Sequence, residues 1–213
     1  MIQIKKYDKN FDSLQELKKI VDQCYLVNKK FFKKDVGGIK IDFFYSRSEM
    51  DKKLERKTPD WWVGSAKNKN IFIFSPTVYD QVSSHPKSDF KPTLTHEIGH
   101  AFVNELFGFV YPKWLSEGLP GYIAKQYKKF SNDIKIVSFS KLHDREGWNK
   151  YHHYPQAFLF TKYLVDKYGE KTVLLFMSKL GRNDSFKETS KKFEEVFKKN
   201  LKQVKENWIK EIK

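Results

Sequence analysis

The stretch THEIGHAFVNELFGFVYPKWLSEG, residues 95–118, decides how this chain folds and where its chemistry lies. Its first half holds two histidines, His96 and His100, which are four residues apart. On a helix this spacing places both side chains on the same side, one turn apart. Two imidazole nitrogens in that arrangement can bind one zinc ion at about 2.0–2.1 Å each. The spacing therefore predicts a metal-binding helix.

Glu97 lies inside this His-Glu-x-x-His pattern and cannot point in the same direction as His96. A glutamate in that place can lean over a metal-bound water and act as a general base. A catalytic zinc site also needs a third protein ligand and an open position for water. The alternative is a polar helix with two hydrogen-bonded histidines, since the pattern arises by chance in about one chain in a hundred of this composition.

The segment WLSEG, residues 114–118, resembles the Trp-Leu-x-Glu-Gly segment that supplies the third ligand in gluzincin zinc metallopeptidases, the clan of thermolysin and the aminopeptidase N-like enzymes. Within that clan the chain is most similar to the small bacterial peptidases with an aminopeptidase-like catalytic domain. The resemblance implies that Glu117 is the third ligand, on the helix that follows the motif helix, and that the chain holds one Zn²⁺. Taken alone, a glutamate at this position is more often a surface residue.

A downstream segment fits the same clan, so the resemblance covers about residues 39–213. YPQAFLFTKYL, residues 154–164, is similar to a helix that opens with a tyrosine. The resemblance implies that the Tyr154 hydroxyl steadies the oxyanion, with His153 as the second candidate for that role. The alternative for Tyr154 is a buried tyrosine with a structural hydrogen bond.

The strand around residues 62–66 resembles the edge strand that pairs with an extended substrate in this clan, which makes Gly64, Ser65 and Ala66 candidate substrate-binding residues. In the aminopeptidases, a glutamate on that strand binds the free amine of the substrate. Lys67 occupies the comparable position of GSAKN, unless this stretch is only a polar hairpin sequence and the alignment is accidental. Both interpretations lack the glutamate, so both predict an endopeptidase rather than an aminopeptidase.

Two positions differ from what the clan and the helix rules favour. Family members often carry an acidic residue four positions after the glutamate ligand, where it orients a ligating histidine. Here that position is Gly121, and Asn104, one turn after His100, is the candidate replacement. Pro120 removes a backbone N–H, which a helix tolerates only in its first turn. We therefore expect Pro120 near the start of the second helix.

Strand-like patterns come early in the chain and helical patterns late, which predicts an α+β fold. Helices are predicted over residues 11–32, 93–107 and 116–127 and from 155 onward, strands over 38–46 and 134–139, and a hairpin over 60–76. The resemblance implies a gluzincin (zincin-like) catalytic domain with an N-terminal mixed sheet and a C-terminal helical subdomain. We expect one domain over residues 1–213, with the sheet and zinc-binding helices in about 1–130 and a mainly helical part in 131–213.

The formal net charge of +15 raises the question of a nucleic-acid partner. Lysine outnumbers arginine 37 to 4, whereas base readout and stacking depend on arginine. The lysines are also mixed with acidic residues on many helical faces, as on a solvated surface. We therefore expect no specific nucleic acid, and an anionic polymer or membrane surface stays open as a partner.

Cys24 is the only cysteine, which excludes disulfide frameworks and cysteine-based zinc sites. It lies in an apolar helical pattern and is interpreted as a small core hydrophobe. No apolar run approaches the roughly 18 residues of a membrane helix, and no export signal is visible. We expect a monomer that is cytoplasmic by default, or secreted with its signal removed.

Together the motif and the resemblance predict a zinc-dependent peptidase that hydrolyses a peptide or protein substrate with a zinc-activated water. Two alternatives stay open. One is a peptidase-like binding module with weak or no activity, and the other is a binder of anionic polymer through the basic surface. The intact Glu97 argues against the inactive module, because decayed enzymes tend to lose the base first.

Overall fold

The structure, a computed structural model, describes residues 2–108, 111–131 and 134–212. It is an α+β structure, as the order of the sequence patterns predicts. The chain forms two compact units, Met1–Glu105 and Leu106–Lys213. No helix within the described ranges is long and apolar enough to cross a membrane.

A mixed sheet of four strands runs through the described part of the first unit. The strands are β1 (Gln3–Lys6), β2 (Lys40–Phe44), β3 (Gly64–Lys67) and β4 (Asn70–Phe74), in the spatial order β1-β2-β4-β3. β1 and β4 run parallel to β2, whereas β3 is antiparallel to β4. The hairpin predicted over residues 60–76 is confirmed as β3 and β4. The sequence patterns do not predict β1.

The first unit also contains the helices α1 (Leu14–Phe32) and α2 (Arg47–Leu54), and all of α3 (Phe90–Leu106) except its last residue. On α1 the buried residues Leu17, Val21 and Cys24 recur every three or four positions, which is the period of a helix with one apolar face. On β4, Ile71 and Ile73 are fully buried, because alternate residues of a strand share one face. These buried rows form the apolar core of the unit.

The side chain of Asn28 joins α1 to the backbone of α3. It is fully buried, and its amide nitrogen donates to the Cys24 carbonyl at 3.1 Å and to the Thr95 carbonyl at 3.0 Å. Burial raises the pKa of the Cys24 thiol, an effect that the hydrogen bond with Thr95 only partly offsets. A protonated thiol in the interior acts as a small hydrophobe. The hydrogen bond from Asn28 to the Thr95 carbonyl fixes α3 at the residue that precedes His96.

Arg47, the first residue of α2, holds the loop that leads into β3. Its guanidinium donates at 2.5–3.3 Å to the backbone carbonyls of Pro59, Asp60, Trp62 and Val82. It also donates to the Thr58 hydroxyl at 2.9 Å. A guanidinium suits this role because its N–H groups point in fixed directions within one plane. One side chain thus ties the loop before β3 to a helix.

The second unit is helical in its described part. Its helices are α4 (Lys113–Ile123), α5 (Arg145–Tyr151), α6 (Tyr154–Tyr168), α7 (Glu170–Lys179), α8 (Phe186–Phe197) and α9 (Leu201–Ile212). The ring centroid of Phe160 on α6 is 5.5 Å from that of Trp114 and 5.2 Å from that of Trp208. All three side chains are buried, and rings of this size bury about 150–250 Å² each. They form the centre of the core of this unit.

The prediction of a strand over residues 134–139 is wrong. Residues 134–138 form neither helix nor strand, and Phe139–Leu142 is a short 3₁₀ helix. The Val137 N–H donates to Gln156 Oε1 at 2.8 Å, and the Val137 carbonyl accepts from Gln156 Nε2 at 2.8 Å. A side-chain amide thus satisfies the backbone groups that a neighbouring strand would otherwise bind.

Helix α4 begins at Lys113, three residues before the predicted start, with Pro112 as its N-cap. Pro120 therefore lies in the helix interior, and the expectation that it falls in the first turn is wrong. Proline has no N–H to donate to the Ser116 carbonyl four residues earlier. This missing hydrogen bond lies close to the end of the helix at Ile123, so little of the helix follows it.

Replacing Arg47 by methionine keeps the aliphatic length and removes every donor. We expect the free energy of unfolding to fall by about 2–4 kcal/mol, because several backbone carbonyls lose a charge-assisted partner. Urea denaturation followed by circular dichroism measures the change.

The matched control is Arg56→Met, since Arg56 is exposed and its guanidinium carbon lies 5.4 Å from the Trp62 ring. Its loss should be below about 1 kcal/mol. Equal losses in the two variants would contradict the role given to Arg47.

Candidate metal centre

The two histidines of α3 meet as their spacing predicts. Their Nε2 atoms are 3.0 Å apart, and the ring centroids of His96 and His100 are 4.7 Å apart with an interplanar angle of 76°. Two nitrogens bound to one tetrahedral zinc ion at about 2.0–2.1 Å are about 3.3 Å apart. The pair is therefore close to the geometry that a shared metal ion requires.

Glu97 is buried, with 8% of its surface exposed, and it lies next to strand β3. A Cβ atom added to Gly64 would be 3.4 Å from Glu97 Cγ, which is van der Waals contact. Because Gly64 has no side chain, the strand can pass beside the glutamate with space left between them. The predicted base and the predicted substrate-binding strand are thus neighbours within the first unit.

Strand β3 presents alternate residues to opposite faces of the sheet. Its register with β4 is Gly64 opposite Ile73, Ser65 opposite Phe72, Ala66 opposite Ile71, and Lys67 opposite Asn70. Gly64 and Ala66 therefore share one face, the side on which a Cβ of Gly64 would meet Glu97, whereas Ser65 and Lys67 share the other face. The register places Lys67 directly before the turn into β4, and both interpretations of GSAKN stay predictions.

Glu117 lies on α4 and is buried, with 8% of its surface exposed. Lys113, one turn earlier on the same helix, donates to Glu117 Oε1 at 2.7 Å. One ligand atom from each of His96, His100 and Glu117 lies within 4.8 Å of the other two. These are the three residues that the motif and the resemblance predict as ligands, and a group of this kind could hold a metal ion.

The other predicted site residues lie at or near helix ends. Tyr154 is the first residue of α6, and its half-buried ring meets the Trp148 ring edge-on with centroids 5.0 Å apart. The His153 Nε2 forms a hydrogen bond with the Lys135 carbonyl. Asn104 is exposed near the end of α3. The oxyanion and histidine-orienting roles given to these residues stay predictions.

Helices α4 and α6 pack so closely that two glycines of α4 have no space for a side chain. A Cβ atom on Gly118 would be 2.2 Å from Thr161 Oγ1 and 2.8 Å from the Ala157 carbonyl oxygen. On Gly121 it would be 2.2 Å from the Phe158 ring. An acidic side chain at position 121 would collide with that ring. The close packing against Phe158 thus accounts for a glycine at position 121.

Lys113 is the residue beside a predicted ligand that the sequence patterns do not single out. The sequence nevertheless contains a signal for this pairing, because lysine and glutamate four residues apart on a helix are neighbours on its surface. The predicted helix start at residue 116 leaves Lys113 outside the helix. The true start at Lys113 brings it one turn before Glu117.

Comparison with known proteins adds no family assignment. No protein-family model matches the chain, and a search of the curated proteins finds no match. The gluzincin resemblance therefore stays a prediction that rests on the motif residues.

Gly121→Ala should lower the free energy of unfolding by about 1–3 kcal/mol, because the new methyl group overlaps the Phe158 ring. The same change in a Phe158→Leu background should cost much less, since the ring is gone and alanine is the better helix former. Urea denaturation of the four proteins gives the coupling energy between the two positions. A cost that is the same in both backgrounds would contradict the contact.

Proposed function

We propose that this protein is a zinc-dependent peptidase of the gluzincin type that cleaves within peptide or protein chains. The observation that carries the proposal is the meeting of ligand atoms from His96, His100 and Glu117 within 4.8 Å, together with the separate buried Glu97. Burial of ionisable side chains costs free energy unless they are paired or bind a metal. Such groups are concentrated at functional sites.

The donor set supports zinc as the metal. Two imidazole nitrogens and one carboxylate oxygen suit Zn²⁺, and a catalytic zinc site has three protein ligands and one position for water. His96, His100 and Glu117 would hold one ion per chain. Zinc bound by these residues would lower the pKa of its water and polarise the scissile carbonyl.

Glu97 is the residue that would move protons. Its carboxylate accepts a proton from the attacking water and passes it to the leaving amine. Its Cγ lies 3.4 Å from where a Cβ atom of Gly64 would be, which puts this acceptor beside the strand along which a substrate backbone would run. Tyr154 would donate a hydrogen bond to the oxyanion, a role worth about 10²–10³ in rate for one donor.

The position of β3 supports an extended peptide as the substrate. It is one of the two outer strands in the order β1-β2-β4-β3, and it pairs with β4 on one side. An outer strand offers backbone N–H and C=O groups to an added strand. The residues of β3, GSAK, include no acidic side chain that could grip a free amine. Cleavage within a chain therefore fits better than removal of N-terminal residues.

A module that binds without hydrolysis is the second candidate. The formal net charge of +15 favours an anionic polymer or surface as the partner of such a module. Glu97 would have no role in it, whereas the burial of Glu97 beside β3 suits catalysis. Hydrolysis of an unstructured protein such as casein separates the two candidates, because a binding module would leave casein intact.

The variant Glu97→Gln tests whether Glu97 is a general base or a metal ligand. Glutamine keeps the size and hydrogen bonding of glutamate but cannot accept the proton. Zinc should stay near one ion per chain, while casein hydrolysis falls by about 10² or more. Elemental analysis by mass spectrometry and peptide release at matched protein concentration measure the two quantities.

Glu117→Ala is the comparison variant and should lose the zinc as well as the activity. Loss of zinc in Glu97→Gln would contradict its role as the base. Full zinc content in Glu117→Ala would remove Glu117 from the ligand set.

Two fluorogenic substrates test the site of cleavage. An internally quenched, N-acetylated peptide should be cut, and an unblocked aminoacyl-aminomethylcoumarin should release little dye, because β3 has no carboxylate for the free amine. Both are measured at the same concentration, with metal-stripped protein as the control. Rapid dye release from the unblocked substrate, with the acetylated peptide left intact, would show an aminopeptidase instead.

A further inference from the structure

Lys113 and Glu117 form a largely buried ion pair on α4. Lys113 Nζ is 2.7 Å from Glu117 Oε1, and the two side chains are 20% and 11% exposed. Another pair with the same spacing, Lys162 and Asp166 on α6, is 39% and 51% exposed. Water screens exposed pairs, so they contribute little. The pair on α4 is therefore the stronger one, and it contains the predicted third ligand.

We propose that Lys113 controls how Glu117 binds the metal. It holds one carboxylate oxygen and leaves the other as a single ligand atom, and its positive charge weakens the binding of a divalent cation. This inference rests on the proposed function, in which Glu117 is a metal ligand. Lys113 is thus a positioning residue that acts through Glu117.

The choice of one oxygen follows from the hydrogen bond. A carboxylate can bind a metal through one oxygen or through both. An ammonium group at 2.7 Å from Oε1 makes a charge-assisted hydrogen bond, which is about twice as strong as a neutral one. The hydrogen bond competes with the metal for this oxygen. Ligation through one oxygen would give the ion three protein ligand atoms instead of four, with a position left for water.

The effect on affinity follows from charge and distance. Glu117 brings the one negative charge of the ligand set, and the Lys113 ammonium opposes it. A cation that is hydrogen-bonded to a metal ligand would be a near neighbour of the metal, and charges at short separation in a partly buried site interact strongly. Lys113 therefore repels the ion that Glu117 attracts. Removal of this charge should tighten metal binding.

Zinc affinity is compared in the wild type and in Lys113→Met, Lys113→Arg and Lys162→Met. Each protein is stripped of metal and titrated with Zn²⁺ in competition with a chromophoric chelator, which requires no enzymatic activity. Lys113→Met should bind Zn²⁺ on the order of tenfold more tightly. Lys113→Arg keeps the positive charge and can donate to both carboxylate oxygens, so it should bind Zn²⁺ no more tightly than the wild type. Lys162→Met, the matched helix pair, should not change the affinity.

Cobalt reports the number of ligand atoms. Co²⁺ in place of zinc absorbs visible light strongly when it has four ligand atoms and more weakly when it has five. In Lys113→Met both oxygens of Glu117 become available, so the bands should weaken, and Lys113→Arg should restore them. Lys113→Gln is the second neutral variant and replaces Lys113→Met if that protein does not fold.

Equal or weaker zinc affinity in the neutral variant, or cobalt bands that do not change, would overturn this inference. A wild-type protein that binds no zinc would overturn the proposed function instead, so the two failures are distinct.

Discussion

Burial of ionisable side chains is the constraint on which the rest of the structure depends. His96, Glu97 and Glu117 are each less than a tenth exposed, and charged groups in the interior are tolerated only where their partners stay in place. The surroundings meet this requirement by fixing the backbone. The buried amide of Asn28 holds α3, and close glycine contacts with α6 hold α4. The ionisable side chains of α3 and of α4 stay in place because each helix has little freedom to shift.

The features that could be predicted from the sequence follow from short-range rules. Four residues of spacing place His96 and His100 on one side of a helix in any fold, and the structure has them there. The β3–β4 hairpin follows from two apolar runs around KNKN. Glu117 has no local signature of a ligand and is identified through the resemblance of WLSEG alone. Its neighbour Lys113 is missed because the predicted helix begins too late.

The features that could not be predicted depend on segments far apart in the sequence. Residues 3–6 become a strand because they pair with β2, in the register of Gln3 opposite Lys40. Residues 134–138, IKIVS, are more apolar than residues 3–6, but their backbone meets the Gln156 side chain instead of a strand. The glycine at position 121 is explained only once the place of the Phe158 ring is known. In each case tertiary packing decides, and local propensity does not.

The outer position of β3 also affects how the protein behaves at high concentration. A strand with an open side can pair with the same strand of another copy, which is a common start of aggregation. Two properties of β3 act against this: it has only four residues, and it ends in the exposed, charged Lys67. The net charge of +15 adds repulsion between copies. The short length of β3, its terminal lysine and the net charge of the chain thus all disfavour pairing between two copies of this strand.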